Sequence, residues 1–307
     1  MLLVFGSINV DLTFRLPHLP AVGETVLTTS VTQAIGGKGA NQAMAAARDG
    51  ASTCFIGCVG SDGYGETARQ ALAGLGIDVG GLTTVPDSTG LAAVWIDADG
   101  GNQIAVASGA NAALKAEALR HHRLSPETTL VLQLETPVAE VEAAITYAKP
   151  KGAKIILNLA PALPLSATAL SLVDVLVVNE HEAAHLAASL CLRPGPPAER
   201  VAALAGAIGN TVIITLGGEG AIAAEGDRRW RAAALPVRAI DTTGAGDCFV
   251  GVLAAALMRG ESLPAAMRRA AVAGSLACTV VGAMPSFPTR HSIDAALAAN
   301  QLPIAEA

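Results

Sequence analysis

Aromatic residues supply only 3% of the 307-residue sequence, while hydrophobic residues together reach 51%. A core of that size without rings must be packed tightly from alanine and branched aliphatic side chains. Charge is also scarce, at 15%, and the net charge of −6 comes with no block of Lys or Arg. That argues against a nucleic-acid or anionic-membrane surface, so anionic ligands must be met locally. No apolar run reaches the roughly 20 residues that span a bilayer, and the longest late one, from Ala270 to Met284, contains two glycines. The apolar opening Met1 to Phe5 lacks a basic leader and runs into Asn9 and Asp11, so it reads as a buried first strand rather than a signal peptide. Five cysteines (Cys54, Cys58, Cys191, Cys248, Cys278) are odd in number, dispersed and mostly set in apolar segments. They read as free thiols of a reducing cytoplasm. Cys54 and Cys58 fall on one face of a strand, which argues against a zinc site built from that pair alone.

Two glycine-rich helix starts stand out instead. Asp241-Thr242-Thr243-Gly244-Ala245-Gly246-Asp247 opens an apolar helix, and far upstream Gly36-Gly37-Lys38-Gly39-Ala40-Asn41-Gln42 opens another. Small residues at 244–246 let backbone N–H groups converge on an anion beside the positive end of a helix dipole. Asp247, in the first turn, is placed to take a proton from an attacking hydroxyl, which points to phosphoryl transfer to an alcohol. Lys38 lacks the spacing of a Walker phosphate loop and is assigned no catalytic role.

Coarse periodicity predicts strands at 2–8, 53–59, 130–134, 154–158, 175–178 and 211–215. Helices are predicted at 40–49, 65–75, 138–148, 166–172, 180–188, 197–208, 246–258 and 264–281. This is the βαβ rhythm of an α/β fold, a mostly parallel sheet covered by helices on both faces. Segments 12–35 and 88–107 break the rhythm and read as strands of a small β lid over the C-terminal edge of the main sheet. The large domain is expected to comprise 1–11, 36–87 and 108–307. No internal repeat is present, and the only linker-like stretch is Leu192 to Pro197, a surface loop.

The order of these motifs resembles the PfkB carbohydrate kinases over nearly the whole chain, and within them the branch that acts on D-ribose. Gly6 to Asp11, Gly23-Glu24-Thr25-Val26, Gly109 to Leu114, Gln133-Leu134-Glu135, Asn158 to Ala162 and Thr215-Leu216-Gly217 all contribute. The resemblance implies a three-layer α/β/α domain with a β lid that also makes a homodimer contact, in a cytoplasmic enzyme. It implies ATP-dependent phosphorylation of a sugar's primary hydroxyl, O5 of ribose first, with another pentose, fructose or a nucleoside as alternative acceptors. Sugar contacts are implied at Asn9, Asp11, Gly37, Lys38, Gly39, Ala40, Asn41 and Glu135, with Asp247 as base. Carboxylates and amides suit such a rim of hydroxyls.

ATP contacts are implied at Asn179, Thr215, Leu216, Gly217, Gly218, Glu219 and Gly220. The N–H groups of Ala245, Gly246 and Asp247 at the Gly244 turn would meet the transferred phosphoryl group, while Mg²⁺ bridges the phosphates. Ala271 stands where the family tends to carry His or Asn near the adenine, which implies base contacts made otherwise. A K⁺ site of backbone carbonyls is implied at Asp241, Thr243, Ala277, Val280, Gly282 and Ser286. His181-Glu182-Ala183-Ala184-His185 matches the H-E-x-x-H pattern of zinc peptidases, yet Asn179 to Glu182 also matches the family's Asn-x-x-Glu motif, whose glutamate organises Mg²⁺ through water. Both readings claim Glu182; no third zinc ligand follows nearby, so the weight falls on magnesium. A sugar-binding protein without catalysis is the other rival, and ADP release on adding sugar separates it.

Overall fold

The computed structural model describes residues 1–300 and the backbone of 304–306. The chain runs β1 (Leu2–Phe5), β2 (Asn9–Arg15), β3 (Ser30–Gly36), α1 (Lys38–Arg48), β4 (Thr53–Gly60), α2 (Gly63–Gly74), β5 (Asp78–Val85), β6 (Gly90–Ile96) and β7 (Asn102–Ala107). It continues with β8 (Thr129–Leu132), α3 (Val138–Ala148), β9 (Lys154–Asn158), α4 (Ala167–Leu172), β10 (Val175–Asn179), α5 (Glu180–Ser189), α6 (Pro197–Ile208), β11 (Thr211–Thr215), β12 (Ala221–Glu225) and β13 (Arg228–Ala232). Helices α7 (Ala245–Met258), α8 (Leu263–Ala277) and α9 (Arg290–Ala299) and strand β14 (Ile304–Glu306) complete it.

The main sheet has the order β14-β13-β12-β11-β10-β9-β8-β1-β4-β5. Its strands from β11 to β5 are parallel, and β12, β13 and β14 extend one edge antiparallel. β1, β4 and β8 are buried at every position, as strands covered on both faces must be. One core packs Leu2, Val4 and Phe55 against α1, α7 and α8; the other packs Leu3, Phe5 and Ile56 against α3, α5 and α6. The architecture is therefore a three-layer α/β/α sandwich. Helix α7 is buried from Asp247 to Leu257, all the way round, which explains why its sequence lacks a polar face. Gly251 lets α1 close on it: a Cβ there would come 2.3 Å from the Gln42 carbonyl oxygen.

A second sheet has the order β3-β2-β6-β7. The turn between β6 and β7 is organised by Asp97, whose Oδ1 accepts from the N–H groups of Asp99 (3.0 Å) and Gly101 (2.7 Å). The strand expected over 2–8 is shorter: β1 ends at Phe5, and the chain re-enters pairing at Asn9 in the small sheet. The break is local. Gly39 packs so closely that a Cβ would lie 2.7 Å from Ser7 N, pinning the loop after β1 under the start of α1. The helix expected over 264–281 stops at Ala277, with a turn beyond. β5, β12, β13, α9 and β14 were not among the expected elements. Among the described residues no helix is long and apolar enough to cross a membrane.

Candidate active site

The C-terminal ends of the parallel strands carry the polar residues: Ser7 beyond β1, Gln133 and Glu135 beyond β8, Asn158 on β9, Asn179 on β10 and Thr215 on β11. Sheet order reverses about β1, the place where open α/β sheets bind ligands. The two glycine-rich helix starts meet there. Asn41 Nδ2 donates to Asp247 Oδ2 at 2.9 Å, and Gln42 Nε2 donates to Asp247 Oδ1 at 3.1 Å. Burial pushes the Asp247 carboxyl above its ordinary range; Lys38 and the two amide donors pull the other way without cancelling it. That suits a group that must accept a proton.

Around it the remaining carboxylates converge. Glu135 Oε2 accepts from Ser7 Oγ (2.7 Å) and from Lys38 N (3.0 Å), which fastens the Gly37 to Asn41 loop to the end of β8. Asp11, on β2, is raised to about 6 by burial and by the charges of Glu135 and Asp247. Gly36 makes room for it, since a Cβ there would overlap the Asp11 carboxylate. Gly37, at φ +88°, would bring a Cβ 2.9 Å from Asn9 N. Asn9 is buried, and its Oδ1 accepts from Asn111 Nδ2 at 2.8 Å. The Asn41 Oδ1 atom is buried without a partner among the described residues, which leaves an acceptor for a hydroxyl.

Lys38, expected from the sequence as a sugar contact but with no catalytic role, reaches a pocket of about 150 Å³ that Glu182, Asn179, Gly246 and Asp247 also line. Burial opposes its charge, but Asp247, Glu135 and Glu182 outweigh that and hold its ammonium above the ordinary range. The Asn-x-x-Glu stretch is a capping box on α5: Asn179 Oδ1 accepts from Glu182 N and Glu182 Oε2 from Asn179 N, both at 2.8 Å. Burial raises the Glu182 carboxyl above its usual range. His181 and His185 are exposed on α5, and no group of three His, Cys, Asp or Glu side chains able to hold a metal occurs among the described residues. Mg²⁺ is commonly held by one or two carboxylates with waters and phosphates, a requirement that Glu182, with Oε1 outside the capping box, fits.

At Thr215 and Gly246 this pocket meets a more apolar cleft of about 330 Å³, lined among others by Gly217, Gly218, Gly220, Phe249 and Ala271. Leu216 and Glu219 do not line it: Leu216 packs on the core and Glu219 pairs with Arg231 at 2.7 Å. Gly244, at φ +75°, turns the chain into α7. The N–H of Ala245 is already given to Thr242 O at 3.2 Å, so Gly246 and Asp247 are the first-turn donors left for an anion. Asp241 braces this turn, accepting from Thr243 N (2.9 Å) and Gly282 N (2.8 Å). Burial opposes its charge, but the Thr243 hydroxyl, which donates to it at 2.6 Å, together with those two N–H groups outweighs that and holds its carboxyl below the ordinary range. Val280 N bonds to Ala277 O and Ser286 N to Ala283 O, so the carbonyl-bearing turns suggested for K⁺ lie beside the Gly244 loop, where a Cβ on Gly244 would come 2.8 Å from Ala283 Cβ.

The sequence reading did not single out Gln42, Gln133 and Asn158 as individual site residues, nor Ser7 and Asn111. Each is a polar residue in an otherwise apolar strand end or helix, which was the available signal.

Residues 1–290 match the pfkB family carbohydrate kinases. A ribokinase of Haemophilus influenzae is 39% identical over 294 residues, spanning 94% of this chain and 96% of that protein. The crystal structure of a Thermotoga maritima ribokinase superposes with a TM-score of 0.91 at 30% identity, covering 97% of this chain and 99% of that one. An Arabidopsis thaliana ribokinase complexed with ribose and ATP superposes with a TM-score of 0.87 at 30% identity, covering 96% and 98%.

Proposed function

The chain belongs to the pfkB family of carbohydrate kinases, and on that premise we propose that it phosphorylates D-ribose at O5 with ATP as donor. The observation that carries the mechanism is the meeting of the two helix starts at Asp247, with Asn41 and Gln42 on its two oxygens. Asp11, Asn41 and Glu135 offer acceptors and donors to the sugar's hydroxyls, and the apolar cleft by Ala271 takes the nucleotide's base. The sugar's O–H bond breaks as its proton passes to Asp247, and the oxygen forms a bond to the γ-phosphorus. The bond from that phosphorus to the bridging oxygen breaks, ADP leaves with the electron pair, and the proton is later released to water. Gly246 and Asp247 N–H groups receive the charge on the moving phosphoryl group, and Lys38 adds positive charge at the same pocket.

Glu182 would recruit Mg²⁺ through water, which would supply charge neutralisation at the phosphates, and the turns at Asp241, Thr243, Ala277, Val280, Gly282 and Ser286 would hold a monovalent cation beside the Gly244 loop. Segments 12–35 and 88–107 act as a lid. The exposed Val31, Ile104 and Val106 of β3 and β7 support pairing with a second copy through that sheet. All five cysteines are free thiols, in keeping with a reducing cytoplasm. A coupled ADP-release screen over D-ribose, 2-deoxyribose, fructose and nucleosides tests the assignment. Ribose must give the highest kcat/KM, and absence of ribose-dependent ADP release would sink it.

A further inference from the structure

Gln42 is wholly buried in α1 among alanines, where an uncommitted amide would be costly. Its Nε2 lies 3.1 Å from Asp247 Oδ1 and 3.0 Å from Asn158 Oδ1. Asn158 cannot turn its amide round without loss, because its Nδ2 donates to the Val177 carbonyl at 3.2 Å. An ionised carboxylate can only accept. Gln42 therefore faces two acceptors, and only its NH₂ group satisfies both. Its Oε1 is consequently turned away, toward Gln133, whose Nε2 donates to it at 2.6 Å. Gln133 is itself wholly buried, with its Oε1 directed at Gly6, where a Cβ would lie only 2.0 Å away. The row runs from β10 through β9 and α1 to the end of β8, and rotating any amide in it would bring like atoms together.

We propose that Gln42 is a positioning residue for Asp247, its amide locked by Asn158 and Gln133 so that N–H, and never carbonyl, meets the base. The inference rests on the reading of Asp247 as the base that takes the sugar's proton. Removing Gln42 takes away one of the two side-chain donors that favour the charged carboxylate. The raised proton affinity that burial already gives Asp247 then rises further. Gln133 acts one step back, as the donor to Gln42 Oε1; its own Oε1 is buried without a partner among the described residues, so it favours the orientation that Asn158 and Asp247 fix.

The test compares wild type with Gln42→Leu, Gln133→Leu and Asp247→Asn, measuring kcat against pH at saturating ribose and MgATP, together with KM for ATP. Gln42→Leu should lower kcat near neutral pH about 10–100-fold and move the acidic limb of the profile upward by roughly one to two pH units. KM for ATP should stay within about twofold, because the lost bond lies on the base and not on the nucleotide. Gln133→Leu leaves Gln42 and Asp247 in place and should shift the limb in the same direction by less. It carries the test alone if Gln42→Leu fails to fold. A lowered kcat with an unmoved acidic limb in both variants would reduce the row to packing and overturn the proposal. Near wild-type turnover in Asp247→Asn would instead overturn the base assignment, and the inference with it.

Discussion

Replacing Asp11 by Asn should stabilise the ligand-free protein while weakening its hold on the sugar. Among the described residues the Asp11 carboxylate accepts no hydrogen bond, and burial, Glu135 and Asp247 raise its pKa from 3.8 to about 6. A shift of roughly two units corresponds to ~3 kcal/mol at neutral pH, and allowing for the partial exposure of the side chain leaves about 2 kcal/mol. The folded form binds this proton more tightly than the unfolded form. The contribution of Asp11 is therefore most favourable below 3.8, where both forms are protonated, and is lost as pH rises through about 6, where folding must bury a charge. Asn has the same shape without the charge, so it escapes the penalty. Thermal and urea unfolding without ligands should show Asp11→Asn more stable by about 2 kcal/mol at about pH 7.5, a few degrees in Tm for a chain of this size. The gain should shrink to less than about half near pH 4.5. Ribose affinity by calorimetry should fall about 10–100-fold, the loss of a charged acceptor. A variant no more stable than wild type at pH 7.5, or equally favoured at both pH values, would refute the charge-burial argument.

Asp247→Asn should keep its ATP affinity, measured by calorimetry, while turnover drops about 10²–10⁴-fold, the contribution of a positioned base. Glu182→Gln retains an oxygen for the capping box with Asn179, so unfolding should hardly change; the Mg²⁺ concentration for half-maximal rate should rise several-fold. His181→Ala with His185→Ala should leave kinase activity intact, and activity lost together with bound zinc would overturn that view. Gly39→Ala forces a Cβ to 2.7 Å from Ser7 N and O. It should cost about 1–3 kcal/mol in urea unfolding and raise KM for the sugar, because Ser7 holds Glu135.

The parallel strands and most helices were legible because their burial is two-sided or periodic: Cys54 to Val59 and Ile155 to Leu157 read as unbroken apolar runs between turns. The antiparallel edge was not. β13 carries Arg228, Arg229 and Arg231 around Trp230 and buries only Trp230 and Ala232, so its pairing comes from β12 rather than from any pattern of its own. β5, Asp78 to Val85, contains adjacent glycines and buries only Leu82 fully, so its pairing with β4 rather than a pattern of its own places it in the sheet. At the site, residues with a charge and a motif position could be named one by one, whereas what each side chain binds could not. Glu219 sits inside the glycine loop but turns to Arg231, and Ala245 belongs to the anion turn but spends its N–H on Thr242.

Gln42 shows why that gap is physical. In the sequence it follows Asn41 as one more polar residue before an alanine run, and helical spacing alone cannot say whether residue 41 or residue 42 faces the base. Both do, because Asp247 enters from α7 at a crossing close enough to need Gly251. That crossing is set by residues over 200 positions away in the chain. The orientation of the amide depends on two further strands, through Asn158 and Gln133. A local motif thus marks where the base and its loop will be. The rotamer of the base is held by a buried row of amides, Gln42 on α1, Asn158 on β9 and Gln133 just beyond β8, each of which looks unremarkable in its own segment.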